Sequence, residues 1–169
     1  MTIPASRTVT RISALAPADR RGVERIVRGT ERFRESEVSV ALELFDAAFG
    51  LNGLLVDPDY NWLGAYDERD ALLGFVTYGP TPTTDGTWDL YWIVVAADAQ
   101  GLGLGSRLLE EVEQRVSALG ARLLMIETSS RDDYEWSRTF YATRGYAEQV
   151  RIRDFYEPND DRLIYSKPL

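Results

Sequence analysis

Apolar residues recur along this chain at helical spacing in some stretches and at strand spacing in others, and the switches between the two divide it into elements. A short first strand is expected over Val9–Ser13. Pro17 and Asp19 then open a helical stretch that places Val23, Ile26 and Val27 on one face. A second helix is predicted over Glu35–Phe49, with Val38, Leu42, Phe45 and Phe49 at helical spacing and Gly50 as its stop. After Trp62 the period shortens. Trp62–Tyr66, Leu72–Tyr78 and Trp88–Val95 read as strands rich in aromatic and β-branched residues. Asp67–Asp70 and the Pro/Thr/Gly stretch Gly79–Gly86 join them through connections short enough for antiparallel hairpins.

Beyond Val95 helices and strands alternate. Gly101–Gly105 leads into a helix expected to turn Leu104, Leu108, Val112, Val116 and Leu119 inward, with Gly120 as its C-terminal cap. A strand over Arg122–Thr128 follows, then a helix over Tyr134–Thr143 ending at Gly145, then strands over Tyr146–Arg153 and Arg162–Lys167. This order predicts an α/β fold: one mixed, mostly antiparallel central sheet of about seven strands, with helices on both faces. Trp88–Val95, its following helix and Arg122–Thr128 are expected to form a right-handed parallel crossover. With no internal repeat, low-complexity tract or long linker in its 169 residues, the chain reads as a single domain over 1–169 with residues 1–7 as a flexible tail.

Composition narrows the chemistry. Cys is absent, which excludes disulfides, thiolate nucleophiles and thiolate metal sites; His is absent as well. Proton transfer therefore falls to carboxylate, Tyr, Lys or water, and no metal site is expected. Lys and Arg number 19 against 27 Asp and Glu, a formal charge of −8 with pI near 4.6. A field of that sign disfavours nucleic acid and anionic lipid and favours neutral or cationic partners. The N-terminal stretch lacks an apolar core and no run approaches the length of a membrane span, so a cytoplasmic protein without membrane contact is expected.

Chemistry concentrates at Gln100-Gly101-Leu102-Gly103-Leu104-Gly105-Ser106, between a strand and a helix. Glycines allow close approach of the backbone, and the first-turn amides and helix dipole suit an anion such as phosphate. A phosphate-binding loop of the Walker type would need Gly-Lys-Ser/Thr, and Gly105-Ser106-Arg107 fails it. A dinucleotide turn has Glu127 in its acidic place, but Ser106 or Leu108 stands where its third glycine belongs. Ala96–Gln100 also separate the strand from the first glycine.

Here the sequence resembles the GNAT acyl-CoA-dependent N-acetyltransferases. Gln100, Gly103 and Gly105 match the family's Gln/Arg-x-x-Gly-x-Gly/Ala signature, and Phe140-Tyr141-Ala142-Thr143-Arg144-Gly145-Tyr146 matches its Phe/Leu-Tyr-x-x-x-Gly-Phe/Tyr signature. The spacing between them fits too. The resemblance implies the acyl-CoA N-acyltransferase fold, with a parallel pair of strands locally splayed. It implies the pyrophosphate of acetyl-CoA on Gln100, Gly101, Leu102, Gly103, Leu104, Gly105 and Ser106, and the pantetheine arm along Ile93, Val94 and Val95. An amide near Ile93 or Val94 would polarise the thioester carbonyl. Tyr141 aligns with the Tyr that protonates the departing thiolate, unless it is simply a core aromatic.

The amine needs a base. Asp89 falls where one branch of the family carries a catalytic Glu, and lies on the face of Tyr91 and Ile93 by strand alternation; a carboxylate among aromatics has a raised pKa. Glu127 is the second candidate, water the third. Tyr134 replaces a common family Asn and Leu102 a basic residue, so Ser129, Ser130 or Ser137 is the candidate polar contact for pantetheine. For the acceptor, Phe33, Trp62, Tyr78, Trp88, Trp136, Phe155 and Tyr156 with Glu35, Glu37, Asp85 and Asp154 would suit a small cationic amine. The resemblance thus implies direct acetyl transfer to a small-molecule or peptide amine in a ternary complex, an acyl-cysteine intermediate being excluded. The alternative is a degenerate acyl-CoA-binding domain acting as sensor or partner. Homodimers are common in the family, and nothing in the sequence specifies an interface.

Overall fold

The computed structural model describes residues 9–51 and 56–169; residues 1–7, read above as a tail, lie outside them. The elements in chain order are β1 (Val9–Ala14), α1 (Arg20–Gly29), α2 (Glu35–Phe49), β2 (Asn61–Asp67), β3 (Leu72–Pro80), β4 (Thr87–Val95), α3 (Leu104–Ala118), β5 (Leu123–Ser129), α4 (Glu135–Ala142), β6 (Ala147–Glu157) and β7 (Asp160–Pro168). The strands hydrogen-bond in the order β1-β2-β3-β4-β5-β7-β6, a seven-stranded mixed sheet. The ladder of β4 and β5 is parallel, whereas β1–β2, β2–β3, β5–β7 and β6–β7 are antiparallel. No helix among the described residues is long and apolar enough to cross a membrane.

The chain divides into two compact units, one containing the described chain up to Tyr78 with Trp92–Val112, the other Gly79–Tyr91 with Glu113–Leu169. In the first unit, α1 buries Val23, Ile26 and Val27, the face its spacing predicted. α2 buries Val38, Ala41, Leu42, Phe45 and Ala48. The Arg34 N–H donates to the Glu37 carboxylate at 2.8 Å to start α2, and Gly50 in the left-handed region ends it. The Phe45 ring meets Trp62 edge-on at 5.0 Å, and Trp62 lies 5.4 Å from Phe75. The β2–β3 turn is built on Asp67, whose buried carboxylate accepts the Arg69 and Ala71 N–H groups, each at 2.9 Å.

In the second unit the β4–β5 ladder runs from Thr87↔Leu123 to Leu90↔Ile126 and ends there, while β5 continues its pairing with β7 to Ser129. The β3–β4 connection is strapped to the start of β5: the Arg122 N–H donates to the Gly86 carbonyl at 2.7 Å and its Nε–H to the Asp85 carbonyl at 2.8 Å. Gly86 has φ of +76°, and a Cβ there would stand 2.9 Å from the Gly120 carbonyl oxygen. Gly86→Ala is therefore expected to destabilise the protein by about 2 kcal/mol or more, read as a lower midpoint in urea unfolding.

Most boundaries move by a residue or two, and two departures go further. Leu119 is not inward: it lies past the end of α3 and is 70% exposed, because the chain there is already turning through Gly120. The last hairpin is longer than predicted. β6 runs on to Glu157 because Asp154 takes a positive φ and the register shifts between Ile152 and Glu157, an irregularity that hides the alternation of two.

Candidate active site

In the first unit, the sequence-predicted anion turn has the conformation its glycines allow. Gly101 and Gly103 have φ of +80° and +72°, and a Cβ at either would meet nothing within 4 Å, so the turn has an open side. The first α3 bond runs from the Arg107 N–H to the Gly103 carbonyl at 3.2 Å, which puts the amides of Leu104 and Gly105 ahead of the helical ladder. Gln100 braces the turn by donating from Nε2 to the Val95 carbonyl at 3.2 Å. Arg32, from the loop between α1 and α2, donates to the Gln100 side-chain oxygen at 3.4 Å. A cation thus reaches the turn from another element, although Leu102, half-exposed, occupies the basic position of the signature. Val94 is buried, Ile93 and Val95 partly so.

Gly74 permits this packing. A Cβ there would lie 2.9 Å from the Val94 carbonyl oxygen, 3.4 Å from Val95 Cα and 3.4 Å from the buried Leu104 side chain. Its signal in the sequence was a glycine inside an otherwise apolar strand, which marks a close approach.

In the second unit, Asp89, Glu127 and Arg162 share one face of the sheet. Asp89 pairs with Met125, and Glu127 follows at the next same-face position of β5. The Thr81 hydroxyl donates to Asp89 Oδ2 at 2.6 Å. Burial pushes the Asp89 carboxyl above its ordinary value; the Thr81 bond opposes this, the Glu127 charge adds to it and Arg162 opposes it. Glu127 is differently placed: exposed, it accepts an ion-paired hydrogen bond from Arg162. Thr81 and Arg162 escaped sequence reading because a loop threonine and a strand-end arginine acquire meaning only across strands.

Tyr141 projects from α4 and is 5% exposed. Burial raises its hydroxyl well above the usual phenol value, opposed by a hydrogen bond with Ser137 one turn earlier. Its ring meets Tyr146 edge-on at 5.8 Å. The Tyr146 hydroxyl donates to Glu113 at 2.8 Å, and Lys167 pairs with the same carboxylate at 2.9 Å, fixing the turn after α4 to α3 and β7. Arg138 donates to the carbonyls of Ser129 at 2.9 Å and Arg131 at 2.7 Å, securing α4 to the end of β5.

The sequence profile of the acetyltransferase (GNAT) family matches residues 23–146, which take in the glycine turn, Asp89, Glu127 and Tyr141. The chain belongs to the GNAT acetyltransferase family. Its relatives carry the same family's names. A crystal structure of a protein assigned to the GNAT acetyltransferases from Desulfovibrio desulfuricans has 38% sequence identity and a TM-score of 0.85, over 94% of this chain and 98% of that one. An aminoglycoside 6'-N-acetyltransferase complexed with coenzyme A superposes with a TM-score of 0.72 at 19% identity, over 94% of this chain and 97% of that one, a likeness of fold. An amino-acid acetyltransferase from Ralstonia nicotianae is 27% identical over 112 residues, which is 66% of this chain but 23% of that relative's length.

Set against the rest of this GNAT chain, the expected acceptor residues separate. Trp62 and Tyr78 are buried, Trp62 in the aromatic core. Glu35 is paired with Arg28 at 2.6 Å and Glu37 caps α2. Asp154 accepts the Asn159 N–H in the β6–β7 turn at 2.7 Å. Phe33 meets the Trp92 ring edge-on at 5.2 Å, Trp88 is partly buried and Asp85 is exposed. Trp136, Phe155 and Tyr156 are exposed, with the Arg162 guanidinium 4.8 Å from the Phe155 ring centroid. The serines suggested for pantetheine are engaged within the chain: Ser129 with Asp160, Ser130 with the Asp161 N–H at 2.8 Å and Ser137 with Tyr141.

Proposed function

We propose that this chain forms a single catalytic domain that transfers an acetyl group from acetyl-CoA directly to a primary amine of a small molecule or peptide, both substrates being bound together. The glycine turn carries this reading. Its open side, positive-φ glycines and amides ahead of the α3 ladder are what a diphosphate requires of a backbone. Gln100, Gly101, Leu102, Gly103, Leu104, Gly105 and Ser106 would hold it, with Arg32 adding positive charge in a chain whose formal charge is −8. Ile93, Val94 and Val95, past the end of the β4–β5 ladder, would offer main-chain groups to the pantetheine arm.

Bound acetyl-CoA supplies an acetyl group activated as a thioester. The rest falls to this chain. Asp89 is the better base, since Glu127 already neutralises Arg162 whereas Asp89 accepts a neutral hydrogen bond from Thr81 and holds protons more tightly than an ordinary carboxylate. It takes the proton that the attacking nitrogen loses. Tyr141, its hydroxyl kept protonated by burial, carries the proton for the departing sulfur. The same burial raises the proton affinity of a thiolate beside it, so the exchange stays close to balance.

The reading is tested by calorimetry with CoA and by CoA release with an amine panel. Binding at micromolar Kd with acetyl-dependent release is expected. Binding without release from any amine would leave a sensor domain, and no binding would reject the reading. Gly103→Val should weaken CoA binding about tenfold, because a β-branched residue resists positive φ.

A further inference from the structure

Arg162 is the third residue of β7, on the face that carries Asp89. It pairs with Ser129, and Glu127 stands at the preceding same-face position of β5, with Asp89 on the neighbouring strand. Its guanidinium is under-used. Nη2 meets Glu127, but Nε is buried and meets no acceptor among the described residues. A carboxylate held side-on would take Nε and Nη2 together, and Glu127 takes one of them. A buried donor without an acceptor is costly and calls for a partner. Glu127 is 44% exposed and can turn into water, while Arg162, at 26%, is held over the Phe155 ring.

We propose that Arg162 anchors a carboxylate of the acceptor, so that the amine acetylated is one that carries its own carboxylate. The acetylation part rests on the function proposed above; the carboxylate site does not. Glu127 occupies the guanidinium when no acceptor is bound and gives way to the incoming carboxylate, which takes the fork at Nε and Nη2. Asp89, Glu127 and Arg162 together carry one net negative charge. A zwitterion brings its ammonium towards Asp89 and its carboxylate to Arg162, leaving neither group unpaired, whereas a diamine would set a second cation against Arg162. In the transfer the N–C bond forms and the C–S bond breaks. The ammonium first gives one proton to Asp89, which passes it to water. The neutral amine then attacks, its second proton goes to Asp89, and the sulfur takes one from Tyr141. Solvent returns a proton to the Tyr141 oxygen and receives the one left on Asp89.

The experiment uses pairs differing only in the carboxylate: L-methionine against 3-(methylthio)propylamine, L-phenylalanine against phenethylamine, and L-lysine against cadaverine. Wild-type kcat/KM for CoA release should be at least tenfold higher for the carboxylate member of one pair or more, and in Arg162→Gln that ratio should fall to within threefold of unity. A ratio near unity in wild type, or one that survives the substitution, overturns the proposal. A second measurement avoids both turnover and the variant's folding: the Arg162 Nε–H resonance of the ¹⁵N-labelled wild type, titrated with the same compounds. It should shift with a carboxylate member and not with its decarboxylated counterpart; no shift, or equal shifts, overturns the anchor. A selective shift in a protein that releases no CoA would reject acetyl transfer and leave the carboxylate site standing.

Discussion

Replacing Asp89 by asparagine should lower kcat by about 10²–10³-fold at neutral pH and remove the acidic limb of the pH–rate profile. The carboxyl is half-buried, with burial as the main cause of its raised proton affinity and the Thr81 hydroxyl bond only partly offsetting it. A base works deprotonated, so activity falls as pH drops through its pKa; the raised value places that limb above the ordinary carboxylate range. Glu127→Gln removes a negative neighbour and should move the limb to lower pH, and Arg162→Gln should move it higher. The same shift makes a stability prediction of opposite sign. A carboxyl that binds its proton more tightly folded than unfolded favours the fold in acid, and that contribution is lost as pH rises through the folded pKa. Asp89→Asn is neutral throughout and should raise Tm at pH 7. A near-normal rate with an unmoved acidic limb would hand the proton to Glu127 or to water.

Tyr141→Phe should cut turnover at least tenfold, and about 10²-fold where departure of the thiolate limits the rate, with CoA binding retained within about threefold. The ring's place against Tyr146 survives the change. What is lost is the hydroxyl and its bond with Ser137, which should cost about 1 kcal/mol of stability. Because burial drives the hydroxyl pKa far upward, Tyr141 stays protonated across the working range and contributes no basic limb. Unchanged turnover in the variant would assign leaving-group protonation to solvent.

Long periodic elements were legible because burial of one face imposes a period. α2 ends where Glu35 and Phe49 were placed, and the spacing of Val23, Ile26 and Val27 marked the buried face of α1. Leu119 shows where the rule stops: apolar character continues one residue past the end of α3, where the backbone has left the helix. β6, exposed along its whole length, extends beyond its expected end because an edge strand facing water shows no buried face to mark its length.

The site divides along the same line. A run of glycines between strand and helix, and a Tyr five residues before the Tyr that braces it, are local patterns, because positive φ and one helical turn are local requirements. The chain alone therefore determined the glycine turn, the candidate acid, the exclusion of thiol and imidazole chemistry, and the order of elements. Only the tertiary structure decided which carboxylate is engaged, what Arg32 and Arg162 touch, and which aromatics are core. Those outcomes depend on strand register and on side chains far apart in the chain, and a one-residue slip in register would send Asp89 to the opposite face.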